Sequence, residues 1–337
     1  MTSATPADEQ APRRGPRAII LLVARVVFLV AAVGFAIWSF RSQWADVGEA
    51  VAHASLGGML LALLFTFVGL IAFGFMWLRV VRAYGYTLGW RRGLGIFFIG
   101  QLGRYIPGSV WSFGAQAAMA RDVDIPFRTT VTAGLVGLGI SLASSGLVGS
   151  IMVAFGLLPI PVPGFVGIIA AVLALVVMSP PVINFFGTKF AGKTATLRFG
   201  IRDLLAILLL MIVTWLAYGL SLLFLSTGVA TPALGWFASV GSTTGAYAFA
   251  YIVGVVIIFA PAGLGAREAA LTFLLVPLFG LAPAAAVALL ARIPSTIADF
   301  ALALIGWLLA RHDLPVAQPG ADRADHAAFA PKPDATD

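Results

Sequence analysis

Long apolar runs separated by short polar stretches dominate the chain. Residues 19–40, 56–78, 127–157, 164–186, 203–227 and 284–310 are such runs. Each is long enough to cross about 30 Å of hydrocarbon at about 1.5 Å per residue. Two further apolar regions, 93–120 and 237–281, are interrupted by Pro107-Gly108 and by Pro261-Ala262-Gly263-Leu264-Gly265. Proline removes a backbone donor and clashes with the preceding turn. In hydrocarbon the freed backbone groups need covering protein or a wet cavity. Each region therefore reads as a helix pair meeting near its proline. For 93–120 the pair is expected to be re-entrant; for 237–281 the length equally accommodates two full crossings. The expected fold class is an all-α polytopic membrane protein. It has about six full spans plus two broken pairs, roughly six to eight spans in all.

The interruptions recur at a fixed distance. Pro107 and Pro261 lie 154 positions apart, as do Gly100 and Gly254; Pro126 with Pro283 and Gly149 with Gly306 lie 157 apart. A three-residue gap reconciles the offsets. The repeat units are 56–157 and 203–310, with 164–186 as linker. With both broken pairs re-entrant, an odd number of crossings separates the unit starts, and the second unit is inverted. That is the plan of transporters whose sites lie where discontinuous helices meet.

Composition sharpens this picture. Hydrophobic residues make up 60%, charged residues 10%, and the mean hydropathy is +1.00. Soluble domains run about 45–50% apolar and about 25% charged, so a soluble enzyme is excluded. Without cysteine there is no disulfide and no thiolate ligand. His53, His312 and His326 are scattered, so no metal site and no cofactor are expected. The net charge of +7 follows the loops. Arg79, Arg82, Arg91 and Arg92 lie in 79–92, and Lys189, Lys193, Arg198 and Arg202 in 187–202; 158–163 and 228–236 carry none. The positive-inside rule places both basic loops in the cytoplasm. The polar N-terminus, 1–18, with Arg13, Arg14 and Arg17, joins them. Run 19–40 reads as a retained signal anchor. The Ala-, Pro- and Asp-rich tail, 313–337, reads as a disordered cytoplasmic segment. Nucleic-acid binding is not expected, because the basic residues flank apolar runs. The expected location is the plasma (inner) membrane.

Few charges fall inside apolar stretches: Arg25, Arg104, Arg267, Glu268, Arg292 and Asp299. Each costs about 2.5–3.5 kcal/mol at mid-bilayer and normally faces a cavity or a partner. Arg104 sits beside the first break, with Gln101, Tyr105, Trp111 and Gln116 near it. Its planar fork suits a phosphate, and a helix N-terminus beyond the break favours an anion. Arg104 equally suits a snorkelling position with Tyr105 and Trp111 as interfacial anchors. Arg267 and Glu268 open a helix after the second break. They are expected either to face an anionic group or to pair and cap. Arg292 and Asp299 are seven apart, about 10 Å along a regular helix, too far to pair. Glu268 is the expected partner of Arg292. Both residues fit a headgroup site or a structural fastening between helices. Ser141, Ser144 and Ser145 read as small packing residues, and no nucleophile–base set appears.

The stretch Pro261-Ala262-Gly263-Leu264-Gly265-Ala266-Arg267-Glu268 resembles the Pro-Gly-Gly-Leu-Gly-x-Arg-Glu signature of the lysylphosphatidylglycerol synthase transmembrane region. Gly280-Leu281-Ala282-Pro283 and Ala291-Arg292 continue the likeness, and Tyr105-Ile106-Pro107-Gly108-Ser109-Val110-Trp111 is similar to the family's first motif. In the first half the family's Gly-Glu-x-x-Arg is replaced by Trp111-Ser112-Phe113-Gly114-Ala115, and 133–139 carries no charge. The resemblance implies a membrane module that holds or flips an anionic, aminoacylated or polyprenyl-linked lipid. It implies roles for Pro261, Gly263, Gly265, Arg267, Glu268 and Arg292. The soluble synthase domain of fused members does not fit after residue 312, so synthase activity is not expected. A lipid transporter of flippase type is the leading expectation, with membrane lipids as its partners. The alternatives are a non-transporting membrane partner of a separate glycosyltransferase or lipid-modifying enzyme, and a membrane-embedded lipid transferase.

Overall fold

The computed structural model describes Val27, Ala52 and residues 54–106, 111–192, 195–256 and 265–312. The run 19–40, the breaks at Pro107-Gly108 and Pro261-Ala262-Gly263-Leu264, and the tail 313–337 lie outside them.

Every regular element among the described residues is helical. Helix α1 is Leu56–Ala83, α2 is Trp90–Gln101, and a 3-10 turn, Leu102–Tyr105, tightens the end of α2. Then come α3 (Trp111–Ala120), α4 (Phe127–Ala154), α5 (Gly164–Val177) and α6 (Pro180–Ala191). The last group is α7 (Ile201–Leu225), α8 (Trp236–Val256), α9 (Ala266–Phe279), α10 (Leu281–Leu290) and α11 (Arg292–His312).

Helices α1, α4, α7 and α8 and the joined α10–α11 each have the length and hydropathy of a membrane span. The predicted run 164–186 is not one straight rod. It divides into α5 and α6, which bend by 51° at Ser179-Pro180-Pro181. Consecutive prolines there supply no backbone donors to extend α5, and they start α6 instead. The first broken region appears as two short helices, α2 and α3. The second appears as a full-length α8 followed by the shorter α9.

Close contacts give the helix directions. In α1 and α7, Gly58 meets Thr227 while Thr66 bonds Ser221 at 3.0 Å, so residue numbers fall along one helix as they rise along the other. The same reciprocity joins α7 to α8, through Gly219 with Thr244 and Trp215 with Tyr251. It joins α8 to α4, through Ser242 with Leu157 and Tyr251 with Ser141. Three reversals make α4 antiparallel to α1. The intervening segment, 84–126, therefore starts and ends at the same end of the bundle, as re-entrance of 93–120 requires.

Buried Met76 and Trp77 of α1 and Met211, Trp215 and Leu222 of α7 belong to one hydrophobic core. Small residues let backbones close on one another, the usual device where lipid offers no hydrophobic drive to pack helices. At one end of the bundle the two basic loops meet. Arg198 donates its backbone N–H to Ala83 O at 2.9 Å, and Arg79 reaches Asp203 at 3.3 Å.

A Cβ at Gly219 would lie 2.6 Å from Thr244 Cα, which is backbone and unable to move aside. Gly219→Leu is expected to cost about 1–3 kcal/mol by overpacking, read as a fall in the unfolding temperature of detergent-solubilised protein. Gly139→Leu, at a position with open space around it, is expected to leave that temperature unchanged.

Candidate functional site

The 3-10 turn after α2 is pressed against α3: a Cβ at Gly103 would stand 2.5 Å from Ser112 N. This close approach turns Arg104 and Tyr105 towards α11. Arg104 forms an ion pair with Asp299. Tyr105 Oη donates to Asp299 Oδ2 at 2.7 Å and approaches Thr296 Oγ1 at 3.4 Å, and its ring stacks on Phe300 at 5.5 Å. Asp299 is 2% exposed, so its charge rests on these neighbours.

One side of α11 carries a second ion pair two turns earlier. Arg292 meets Glu268 at 2.8 Å, with both residues buried. Glu268 Oε2 also accepts the backbone N–H of Gly265 at 2.8 Å. Gly265 has φ +82°, a left-handed conformation that glycine adopts without strain, and it caps the start of α9. Pro294 falls in the first turn of α11, where its missing donor costs no helical bond. The regular helix that follows holds Arg292 and Asp299 apart, each with its own partner.

Arg267 follows a different path. Its guanidinium lies 4.7 Å over the ring of Tyr247, which stacks on Tyr218 at 4.6 Å. Its Nη2 is buried and has no hydrogen-bond partner among the described residues. A buried donor left unpaired costs about 1–3 kcal/mol, more when charged.

These groups converge on a cavity of about 60 Å³. Of the residues singled out in the sequence, Arg104, Tyr105, Arg267, Arg292 and Asp299 line it, and Glu268 stands behind Arg292. Gln101, Trp111 and Gln116 are not in the lining. Gln116 is buried against Gly100 between α2 and α3, and Trp111 is half exposed. Pro107, Gly108, Pro261 and Gly263 lie outside the described residues. Thr66, Tyr218, Tyr247, Ser295 and Thr296 also face the cavity and are not among the residues that sequence patterning marks. Two phenols within apolar spans were the available signal, since a buried hydroxyl normally seeks a partner. The three serines of α4 do bond helix carbonyls: Ser141 to Leu138, Ser144 to Ser141 and Ser145 to Leu142. Ser144 also accepts from Trp215 Nε1 at 3.0 Å. Among the described residues no cluster of acidic or histidine side chains has the makings of a metal site.

The wall is thus rich in guanidinium and phenol groups, with both carboxylates already paired to arginine. Its guanidinium donors can bind and orient an anion. A comparison with curated proteins gives no match. The family model for the lysylphosphatidylglycerol synthase TM region matches residues 21–303, a stretch that contains every residue of the cavity wall, and the chain belongs to that family.

Proposed function

We propose that the protein moves a lipid with an anionic headgroup between the leaflets of the plasma membrane. The observation that carries this reading is the buried Nη2 of Arg267, without a hydrogen-bond partner among the described residues, in a cavity where three guanidinium groups face two carboxylates. A phosphate oxygen would supply the missing acceptor. Arg104 and Arg267 would replace water around the headgroup while the acyl chains stay in lipid.

An inverted repeat gives the movement its frame. The offsets of 154 and 157 map Phe249 onto Gly95 and Gly149 onto Gly306. Position 149 packs against Phe249, and position 306 packs against Gly95. One contact is thus the image of the other, and α1 and α7, the first helices of the two units, run in opposite directions. In this reading 56–157 and 203–310 are the units, 164–186 is the linker, and both termini and both basic loops are cytoplasmic. The Arg104–Asp299 pair joins the units across the cavity, and rocking about it would expose the headgroup first to one side and then to the other.

A second reading, a non-transporting partner for a lipid-modifying enzyme or glycosyltransferase, is favoured by the uncharged 111–115 and 133–139 in the first unit. The test is reconstitution in vesicles with labelled phosphatidylglycerol. Transport predicts faster loss of outer-leaflet label than in empty vesicles, and about a tenfold or greater slowing in Arg267→Gln, the loss expected for one charge-assisted bond. Rates equal to those of empty vesicles would leave the partner reading standing.

The Glu268–Arg292 pair makes a separate prediction. Glu268→Gln leaves a buried guanidinium without its carboxylate and is expected to cost about 3–5 kcal/mol of stability. The double variant Glu268→Gln/Arg292→Met is expected to recover part of that loss, measured by thermal unfolding in detergent.

A further inference from the structure

The charge of the cavity wall selects among lipids, an inference that rests on the anionic-headgroup reading and narrows it. Arg104, Arg267 and Arg292 line the cavity with Asp299, and Glu268 pairs with Arg292 from behind, so the wall and its ion-pair partners carry one uncompensated positive charge among the described residues. The break segments 107–110 and 257–264 contain no ionisable side chain that would change this balance. A surplus charge in a water-poor site is most stable with a single opposite charge, because Coulomb energies there are several times those in water. We infer that the site takes headgroups with one net negative charge, phosphodiester monoanions without an amine. It disfavours zwitterionic lipids, phosphomonoesters and, above all, cationic aminoacyl lipids of the kind in the family's name.

The geometry of the aromatic groups points the same way. An ammonium headgroup is normally held by ring faces or by a carboxylate. Here the face of Tyr247 is covered by Arg267 at 4.7 Å and that of Tyr105 by Arg104 at 5.8 Å. Both carboxylates are paired with guanidinium groups. An incoming amine would meet guanidinium groups over those two ring faces. A phosphodiester would meet the Nη2 of Arg267, unpartnered among the described residues, and the hydroxyl-bearing side chain of Tyr218.

The experiment is a lipid titration of the full chain in detergent, followed by native mass spectrometry. The probes are phosphatidylglycerol, phosphatidylethanolamine, lysyl-phosphatidylglycerol and phosphatidic acid. Phosphatidylglycerol is expected to bind about tenfold or more tighter than each of the other three, the margin of one mismatched charge. Asp299→Asn adds a positive charge while keeping an oxygen for Tyr105, and is expected to shift the preference to phosphatidic acid. Arg267→Gln removes one and is expected to shift it to phosphatidylethanolamine, whereas Arg267→Lys is expected to keep the wild-type order. Lysyl-phosphatidylglycerol binding the wild type as well as phosphatidylglycerol does would overturn the inference. So would an unchanged order in both charge variants while they remain monodisperse. The wild-type order alone decides the matter if a variant fails to fold. Binding without this ranking leaves the transport reading intact and ends the charge-matching inference; binding of no lipid ends both.

Discussion

A charge in hydrocarbon has to be answered by another charge or by a polar neighbour, and the bundle is arranged around that requirement. Helix α11 meets it twice. Arg292 at its start is held by Glu268 of α9, and Asp299, two turns on, is held by Arg104 and Tyr105. Neither pair is an ornament of a surface. Buried pairs return little net stability compared with well-packed apolar side chains, yet breaking one is expensive. Their value here is positional: they determine which faces of α9, α11 and the 3-10 turn meet, and they leave Arg267 as the guanidinium of the wall with no ion pair among the described residues.

The backbone obeys a related constraint. Helices that stop inside a bilayer leave donors and acceptors that lipid cannot satisfy. At the start of α9 the carboxylate of Glu268 takes the Gly265 N–H and the Arg292 guanidinium together, so one side chain serves both the cap and the ion pair. The helices that surround this point approach closely through glycine and threonine, as at Gly219 against Thr244 and Gly306 against Gly95. Such contacts bring polar groups from six elements within reach of one small cavity. A wider spacing would separate Arg104 from Asp299.

Much of this was readable in the chain. The apolar runs correspond to α1, α4, α7 and α10–α11, and the short α2 and α3 occupy the first interrupted region. Glu268 was legible as the partner of Arg292, because each needed one and a regular helix kept Arg292 from Asp299. Run 164–186 reads as a single span because hydropathy registers length and not direction; the bend at Ser179-Pro180-Pro181 appears only once α5 and α6 are placed. Gln101, Trp111 and Gln116 lie near Arg104 in sequence but are not in the cavity lining, since a tight 3-10 turn redirects the chain within four residues.

Hydropathy, proline and glycine positions and isolated charges act locally, through transfer energy and helix geometry, and so the sequence by itself determined the all-helical membrane class, the interruptions and the identity of the costly arginines. Which of those arginines share a wall, and the presence of Tyr218 and Tyr247 beside them, depended on contacts between different helices, such as Arg267 over Tyr247 and Arg104 with Asp299. Only the packing of α1, α7, α8, α9 and α11 around one cavity decided that, because a periodic pattern shows that a side chain needs a partner without showing which partner the fold brings to it.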